Sequence, residues 1–103
     1  MQVINLTSHT ITDTTTGEIY EPSGMILRAQ TNQTKLEGYG QLNVSRYKSN
    51  FTMDLPEQLD NTVYIVSAMA LSAIPSNRTD FIAPGPVEKD ENYRPIGCRG
   101  FRR

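Results

Sequence analysis

The chain has 103 residues, of which 37% are hydrophobic and 20% charged, and it contains no tryptophan. This length is typical of one domain, so we expect a single domain over residues 1–103 with a modest core. Ten basic and eleven acidic residues give a formal net charge of −1, which excludes the strongly basic balance that bulk duplex nucleic acid requires. Small domains often gain buried surface by self-association, so we expect a homo-oligomer.

The single cysteine, Cys98, excludes an internal disulfide and a multi-cysteine metal site, and it favours a reducing compartment. The first residues lack the basic start and apolar run of a signal peptide, and no segment approaches the length of a membrane span. We therefore expect a cytoplasmic protein, in the host cytoplasm if it is phage-encoded, without cofactor, metal or membrane partner. In that compartment the five Asn-x-Ser/Thr sequences, which begin at Asn5, Asn32, Asn43, Asn50 and Asn77, stay unglycosylated.

The first quarter of the chain predicts a hairpin and a further strand. Residues 3–16 are rich in β-branched side chains, and Thr16-Gly17 is a plausible turn into residues 18–20. Glu21-Pro22-Ser23-Gly24 is a strong turn signal, because proline presets φ and glycine accepts positive φ. Residues 25–31 then have the composition of a strand.

The next segment predicts a loop, a strand and a second loop. Residues 32–40 are polar, which is typical of a loop. In residues 41–47, Leu42 and Val44 alternate with polar residues, the pattern of a half-buried strand. A loop follows through residues 50–56.

The most apolar segment, residues 63–74, predicts a strand followed by the best helix candidate of the chain. Residues 63–66 suit a buried strand. Ser67 suits a helix N-cap, residues 68–74 are rich in helix formers, and Pro75 ends the helix.

The last quarter predicts short strands separated by turns. Residues 81–83 read as a strand, Pro84-Gly85-Pro86 resets the direction, and residues 92–95 turn the chain again. Residues 94–103 form an arginine-rich segment that is either a closing strand or a basic tail. The fold class is therefore mainly β (α+β), a small antiparallel sheet or barrel-like sandwich with one short helix.

His9 is the only histidine, so it is the candidate proton-transfer group if the protein is an enzyme. The alternative is a surface histidine that orders the first hairpin, and the absence of a local orienting partner favours this alternative.

Arg78, Thr79 and Asp80 lie in a predicted loop, where binding residues often occur. Arg78 suits a phosphate, Thr79 offers a hydroxyl, and Asp80 can orient the arginine or accept a hydrogen bond from a ribose or base. The alternative is an Asp80–Arg78 salt bridge that fixes a turn, and the sequence leaves both open.

The terminal segment interleaves arginines with Tyr93 and Phe101, a composition suited to stacking a base and neutralising phosphate. Arg94 and Arg99 are its candidate ligand-binding residues. The alternative is a solvated basic end. Cys98 lacks a neighbouring histidine in sequence, which favours a structural role over a nucleophile.

Several short segments resemble a family of short, functionally uncharacterised proteins of phages, prophages and bacteria. They are the segments Asn5-Leu6-Thr7-Ser8-His9, Val63-Tyr64-Ile65-Val66-Ser67-Ala68, Arg78-Thr79-Asp80, Pro84-Gly85-Pro86 and Ile96-Gly97-Cys98-Arg99-Gly100. The resemblance covers both ends of the chain and skips its middle. This chain departs from the family at Ser8, where a proline is usual, and the shape of the turn that holds His9 depends on this position.

By broad analogy, the resemblance extends to small viral proteins that sequester or cleave the nucleotide signals of bacterial immune systems such as CBASS and Thoeris. It implies an oligomer that binds a small nucleotide, with Arg78, Asp80, Arg94 and Arg99 around phosphate and base. Our leading hypothesis is a sponge for a cyclic oligonucleotide or an ADP-ribose derivative. The alternatives are a metal-independent phosphodiesterase that uses His9, and a structural or protein-interaction module whose arginine-rich end contacts an acidic partner.

Overall fold

The computed structural model describes residues 1–103. It contains ten strands and one helix, which confirms the mainly β class with one short helix. The elements are β1 (Gln2–Asn5), β2 (Ile11–Thr12), β3 (Ile19–Tyr20), β4 (Ala29–Leu36), β5 (Val44–Phe51), β6 (Thr62–Ile65), α1 (Ala68–Ala73), β7 (Phe81–Pro84), β8 (Val87–Lys89), β9 (Pro95–Cys98) and β10 (Phe101–Arg102).

The strands form four separate sheets and do not close into a barrel. The central sheet has the order β1-β6-β7-β10, and the pairs β2-β3, β4-β5 and β8-β9 are antiparallel ribbons. Within the central sheet, β6 pairs in parallel with both β1 and β7, whereas β10 pairs antiparallel with β7. Helix α1 supplies the crossover that two adjacent parallel strands such as β6 and β7 require.

The core combines residues of the central sheet and α1 with residues from the segments that follow β1 and β6 and precede β4. Its six buried side chains are Leu6, Leu27, Tyr64, Val66, Ala70 and Phe81. The rings of Tyr64 and Phe81 stack with centroids 5.3 Å apart. The Tyr64 hydroxyl donates to the Glu57 carbonyl oxygen over 2.9 Å, so this core tyrosine satisfies its polar group.

Helix α1 begins where the sequence predicts. Ser67 is its N-cap, and the Ser67 hydroxyl oxygen accepts a hydrogen bond from the Ala70 amide over 3.2 Å. The helix ends at Ala73, one residue before the predicted end, and Pro75 lies two residues beyond it. Only Ala70 of the helix is buried, so packing against the sheet uses a single narrow stripe.

The first hairpin turns at the predicted place but does not include residues 3–6. Strands β2 and β3 pair antiparallel across the turn that contains Gly17, whose φ is +78°. Residues 3–5 instead belong to β1, which pairs in parallel with β6 some sixty residues further along the chain, and Leu6 follows the end of β1. Because this pairing depends on a distant segment, local patterning did not reveal it.

In the middle of the chain, the structure differs from three sequence expectations. Residues 32–36, predicted to be loop, lie in β4, and the strand predicted at residues 25–31 begins only at Ala29. The strand predicted at residues 41–47 starts at Val44 and runs through Asn50 to Phe51. Neither face of this ribbon is buried along most of its length. Residues 32–36 therefore lack the hydrophobic pattern of a half-buried strand, and residues 45–50 do not continue the alternation of Leu42 and Val44.

Candidate functional site

His9 lies in the bend after β1, and a buried asparagine fixes the backbone of this bend. The Asn5 side-chain amide donates to the carbonyl oxygens of His9 and Tyr20, over 2.8 and 3.0 Å. Its side-chain oxygen accepts from the Thr7 amide and hydroxyl, over 2.9 and 2.7 Å. The Asn5 side chain therefore fixes the shape of the bend that holds Ser8 and His9.

The hydrogen bonds of Asn5 also decide whether the Asn-x-Thr sequence that begins at this residue can carry a glycan. Asn5 is 1% exposed, and its amide nitrogen already donates two hydrogen bonds. A glycan attached to this nitrogen would be bulky and surface-directed, so the folded chain has no room for one at Asn5.

A first cleft lies on one side of His9, with a volume of about 350 Å³. Its polar groups come from the bend and from the N-cap of α1, and Ile26 and Met69 add exposed apolar surface. The lining residues are Thr7, Ser8, His9, Ile26, Leu27, Arg28, Ala29, Ser67 and Met69.

A second cleft, of about 500 Å³, lies on another side of His9. Apart from His9, none of its lining side chains is acidic or basic, and its exposed apolar residues are Val87 and Ile96. The lining residues are His9, Thr10, Ile11, Thr12, Pro84, Val87, Pro95, Ile96, Gly97 and Cys98. His9 thus stands between a cleft with a cation and a largely apolar cleft.

Arg28 supplies the cation of the first cleft. Its backbone is held to Thr52 by two hydrogen bonds of 3.0 Å. Its guanidinium takes part in neither of the two salt bridges of the chain, which are Arg78–Asp80 and Arg99–Glu88. The Arg28 side chain is exposed, so its guanidinium is free to bind an anionic group in the cleft.

Close backbone packing forms one wall of the second cleft. A Cβ atom on Gly97, whose φ is +156°, would lie 2.5 Å from the Thr12 carbonyl oxygen. The Thr14 amide donates to the Cys98 carbonyl oxygen over 2.8 Å, which ties the first hairpin to β9. Only glycine fits this approach of two backbones.

Cys98 is 5% exposed, and burial raises the pKa of its thiol. The raised pKa keeps the thiol protonated, whereas a nucleophilic cysteine requires the thiolate. The structural role that the sequence favours for Cys98 agrees with these surroundings.

Arg78 and Asp80 form a salt bridge with each other. The Arg78 Nε and Nη2 atoms donate to the two carboxylate oxygens of Asp80 over 3.0 and 2.9 Å, and Nη2 also donates to the Pro56 carbonyl oxygen over 2.7 Å. The Arg78 guanidinium lies 4.8 Å from the Phe81 ring centroid, a cation–π contact. The hydrogen bond from Arg78 lowers the pKa of Asp80, which keeps the carboxylate charged.

These contacts match the structural alternative for the loop, in which the pair fixes a turn. Arg78 borders a cleft of about 300 Å³ with Arg103, whereas Thr79 and Asp80 border a different groove of about 510 Å³. Neither cavity includes His9.

Arg94 and Arg99 are exposed and border none of the five cavities. Arg99 lies 3.8 Å from Glu88 in a solvent-exposed ion pair, and the Arg94 amide donates to the Asp90 carboxylate over 2.9 Å. Residues 101 and 102 form β10 of the central sheet. The arginine-rich end is therefore a closing strand, and the structure does not bring His9, Arg78 and Arg99 onto one cavity.

Asp13 is a structural residue that the sequence analysis missed. It is 6% exposed, and one of its carboxylate oxygens accepts from the Thr15 hydroxyl at 2.6 Å, the Thr15 amide at 2.9 Å and the Gly100 amide at 3.1 Å. The hydrogen bonds from Thr15 lower the pKa of Asp13, with a smaller contribution from Gly100. The Asp-x-Thr spacing of an Asx turn is the one local signal that would have identified it.

The structure contains no helix that is both long and apolar enough to cross a membrane. It also contains no group of three histidine, cysteine, aspartate or glutamate side chains placed to hold a metal ion.

Comparison with family models, with curated proteins and with solved structures finds no match to this chain. The residues around His9 are therefore the basis for a functional assignment.

Proposed function

We propose that this chain binds and sequesters a small nucleotide immune signal, a cyclic oligonucleotide or an ADP-ribose derivative, and so inhibits host anti-phage defence. The observation that carries the proposal is the pair of clefts that share His9, with volumes of about 350 and 500 Å³. Ligand sites commonly have volumes of roughly 300–1,000 Å³. Two adjoining clefts suit a ligand with two parts, which both of these nucleotide classes have.

The chemistry of the clefts supports this ligand class. Arg28 offers an unpaired guanidinium for phosphate, and Ser8 and Ser67 add hydroxyl groups to the same cleft. The second cleft is largely uncharged, with Ile96 and Val87 as apolar surface for a base. The proposal that the ligand is a nucleotide comes from the resemblance. The proposed binding residues are now His9 and Arg28, in place of the residues expected from the sequence, which are Arg78, Asp80, Arg94 and Arg99.

Sequestration is favoured over hydrolysis by the surroundings of His9. The hydrogen bonds of this residue involve its backbone amide and carbonyl groups, and no side chain orients the imidazole. A general base normally has such an orienting group. A phosphodiesterase would use Arg78 or Arg99 to stabilise a developing charge on phosphorus, and neither arginine borders a cleft with His9.

The test is a filtration assay with a panel of cyclic di- and trinucleotides and ADP-ribose derivatives. The purified protein is incubated with each compound and filtered, and the filtrate is analysed before and after heat denaturation. Sequestration predicts that one compound disappears from the filtrate and returns intact on heating. A linear or shortened product would instead establish the phosphodiesterase, and passage of every compound would refute nucleotide binding.

Two variants with the same chemical change locate the site. Arg28→Gln should weaken retention at least tenfold, because it removes the one cation of the first cleft. Arg102→Gln is the matched control, since Arg102 is exposed and borders no cavity. If Arg94→Gln or Arg99→Gln abolishes retention and Arg28→Gln does not, the ligand binds the arginine-rich end and the His9 site is wrong.

A second candidate function, a protein-interaction module, is favoured by the exposed arginines Arg94, Arg99 and Arg102, which border no cavity. The arginine-rich end would be its contact with an acidic partner. Deletion of Gly100–Arg103 would remove β10 from the central sheet, so Arg102→Gln combined with Arg103→Gln is the better test. A salt-sensitive loss of partner binding in this double variant would support the module.

A further inference from the structure

The ribbon of β4 and β5, together with the connecting residues 37–43, is here called the arm. Eight consecutive residue pairs join its strands, from Ala29 opposite Phe51 to Leu36 opposite Val44. Ala29 and Phe51 pack against the core, so the arm is anchored at its base. Between the first and last pairs, every residue of β4 and all but Ser45 of β5 are exposed.

The molecule is more extended than a compact domain of its size. The radius of gyration is 17.2 Å, whereas a compact domain of this length has about 13 Å. The accessible surface is 7502 Å², whereas about 5,800 Å² is expected for a monomer of this mass. The excess, about 1,700 Å² per chain, corresponds to about 3,400 Å² for two chains, within the range of obligate homodimers.

The arm exposes apolar side chains and unpaired strand edges to solvent. Tyr39, Leu42 and Tyr47 are 49%, 71% and 66% exposed. Both edges of a two-stranded ribbon also lack a neighbouring strand, and such a ribbon is only marginally stable by itself. Both features are relieved when another surface covers the arm.

The charge of the arm matches the body of the same protein. The arm has three basic residues, Lys35, Arg46 and Lys48, and one acidic residue, Glu37, which gives a formal charge of +2. The rest of the chain keeps seven basic and ten acidic residues, a formal charge of −3. Contact between an arm and a body is therefore electrostatically favoured over contact between two arms.

We propose that a second copy of this chain covers the arm, with the arm of each protomer lying against the acidic body of its partner. Such an exchange is isologous, because each protomer gives one arm and receives one, and it closes as a two-fold dimer. The exposed apolar residues of the arm and its basic side chains are then buried or paired in the interface. The proposal is independent of nucleotide binding at His9, because none of Tyr39, Leu42, Lys35, Arg46 and Lys48 borders the His9 clefts.

The test is the molar mass in solution, measured by size-exclusion chromatography with light scattering at about 1 to 100 µM protein. The wild-type chain should have twice the monomer mass of 11.6 kDa. A triple variant, Lys35→Glu with Arg46→Glu and Lys48→Glu, should dissociate at least tenfold more readily, because its arm repels the acidic body. The matched control, Lys35→Arg with Arg46→Lys and Lys48→Arg, keeps every charge and should remain dimeric.

A second pair of variants tests the apolar tip of the arm. Tyr39→Ser with Leu42→Ser should also weaken the dimer, whereas Tyr39→Phe with Leu42→Met should retain it. Circular dichroism distinguishes loss of the dimer from loss of the fold in each variant. A wild-type monomer at every concentration, or dimers that persist in both disruptive variants, would overturn the proposal. The filtration assay on the same variants keeps this outcome separate from the one for nucleotide binding.

Discussion

The arm and the body of this molecule are both β structure, but different interactions hold them. In the body, β6 and β7 place Tyr64, Ile65, Phe81 and Ala83 in the interior. The buried side chains of Asn5 and Asp13 form hydrogen bonds with backbone groups of the bends between strands. In the arm, the strands contact mainly each other, and most side chains face solvent. The body is therefore stabilised mainly by its core and the arm mainly by the pairing of its two strands, and substitutions in the two regions should have different effects on stability.

The largest difference is expected between an aromatic ring in the core and one on the arm. Phe81→Ala should lower the free energy of unfolding by about 3–5 kcal/mol, because Phe81 is fully buried and stacks on Tyr64. Tyr47→Ala, which removes an exposed ring from the arm, should change it by no more than about 0.5 kcal/mol in the monomer. Urea denaturation of both variants at low protein concentration measures the difference, and similar losses would mean that the arm is packed as the core is.

The salt bridge of Arg78 with Asp80 gives the next largest effect. Asp80→Asn should destabilise the body by about 2–3 kcal/mol, because it leaves the mostly buried Arg78 guanidinium without its charged partner. Glu88→Gln, which breaks the exposed pair with Arg99, should cost less than about 1 kcal/mol. If the two substitutions have equal cost, Arg78 and Asp80 are not a structural pair, and their availability to a ligand must be reconsidered.

Glycine substitutions compare backbone packing in the two regions. Gly97→Ala should lower the free energy of unfolding by about 2 kcal/mol, because the added Cβ meets the Thr12 carbonyl oxygen. Gly38→Ala, in the arm, meets no atom and should lose only about 1 kcal/mol from its φ of +93°. Thermal unfolding followed by circular dichroism measures both, and a larger loss at Gly38 would reverse the comparison.

The same contrast explains how much of the fold the sequence predicts. The helix is predicted nearly to its ends because Ser67 and Pro75 act locally and the intervening residues are helix formers. Strands β6 and β7 are predicted because both of their faces are largely covered, which produces continuous apolar runs. The arm is predicted only in part. The strands expected at residues 25–31 and 41–47 overlap β4 and β5, whereas residues 32–36 carry the composition of a loop because both faces of the arm are polar.

The candidate site is predicted less well than the fold, because it depends on contacts between distant segments. His9 stands out as the only histidine, but the clefts on either side combine residues from seven different parts of the chain. Arg78 and Asp80 are close enough in sequence to suggest a pair, and the structure settles their mutual contact in favour of the salt bridge. Arg28 has no local signal, since nothing near it in sequence indicates that it will border the same cleft as His9.

The smallest expected effect is a pH dependence that resides in the body. The pKa of Asp13 is lowered below the ordinary value of 3.8, so its contribution to stability is fully present above that value. The contribution is lost as the pH falls through the lower pKa of the folded state. The pKa of Asp80 is also lowered, so its contribution to stability is likewise lost as the pH falls below 3.8.

Asp13→Asn removes one of these two contributions and leaves the other. The variant should be less stable than the wild type at pH 7, and the gap should narrow below about pH 4 as the wild-type carboxylate becomes protonated. Urea denaturation at a series of pH values measures this difference in the free energy of unfolding. As a control, Glu91→Gln removes an exposed carboxylate from a turn, and its stability should equal that of the wild type at every pH. A gap that stays constant down to about pH 2 would mean that Asp13 acts through its shape alone. A gap that narrows would mean that the charge of Asp13 stabilises the body, where its carboxylate accepts hydrogen bonds from Thr15 and from the Gly100 amide of the arginine-rich end.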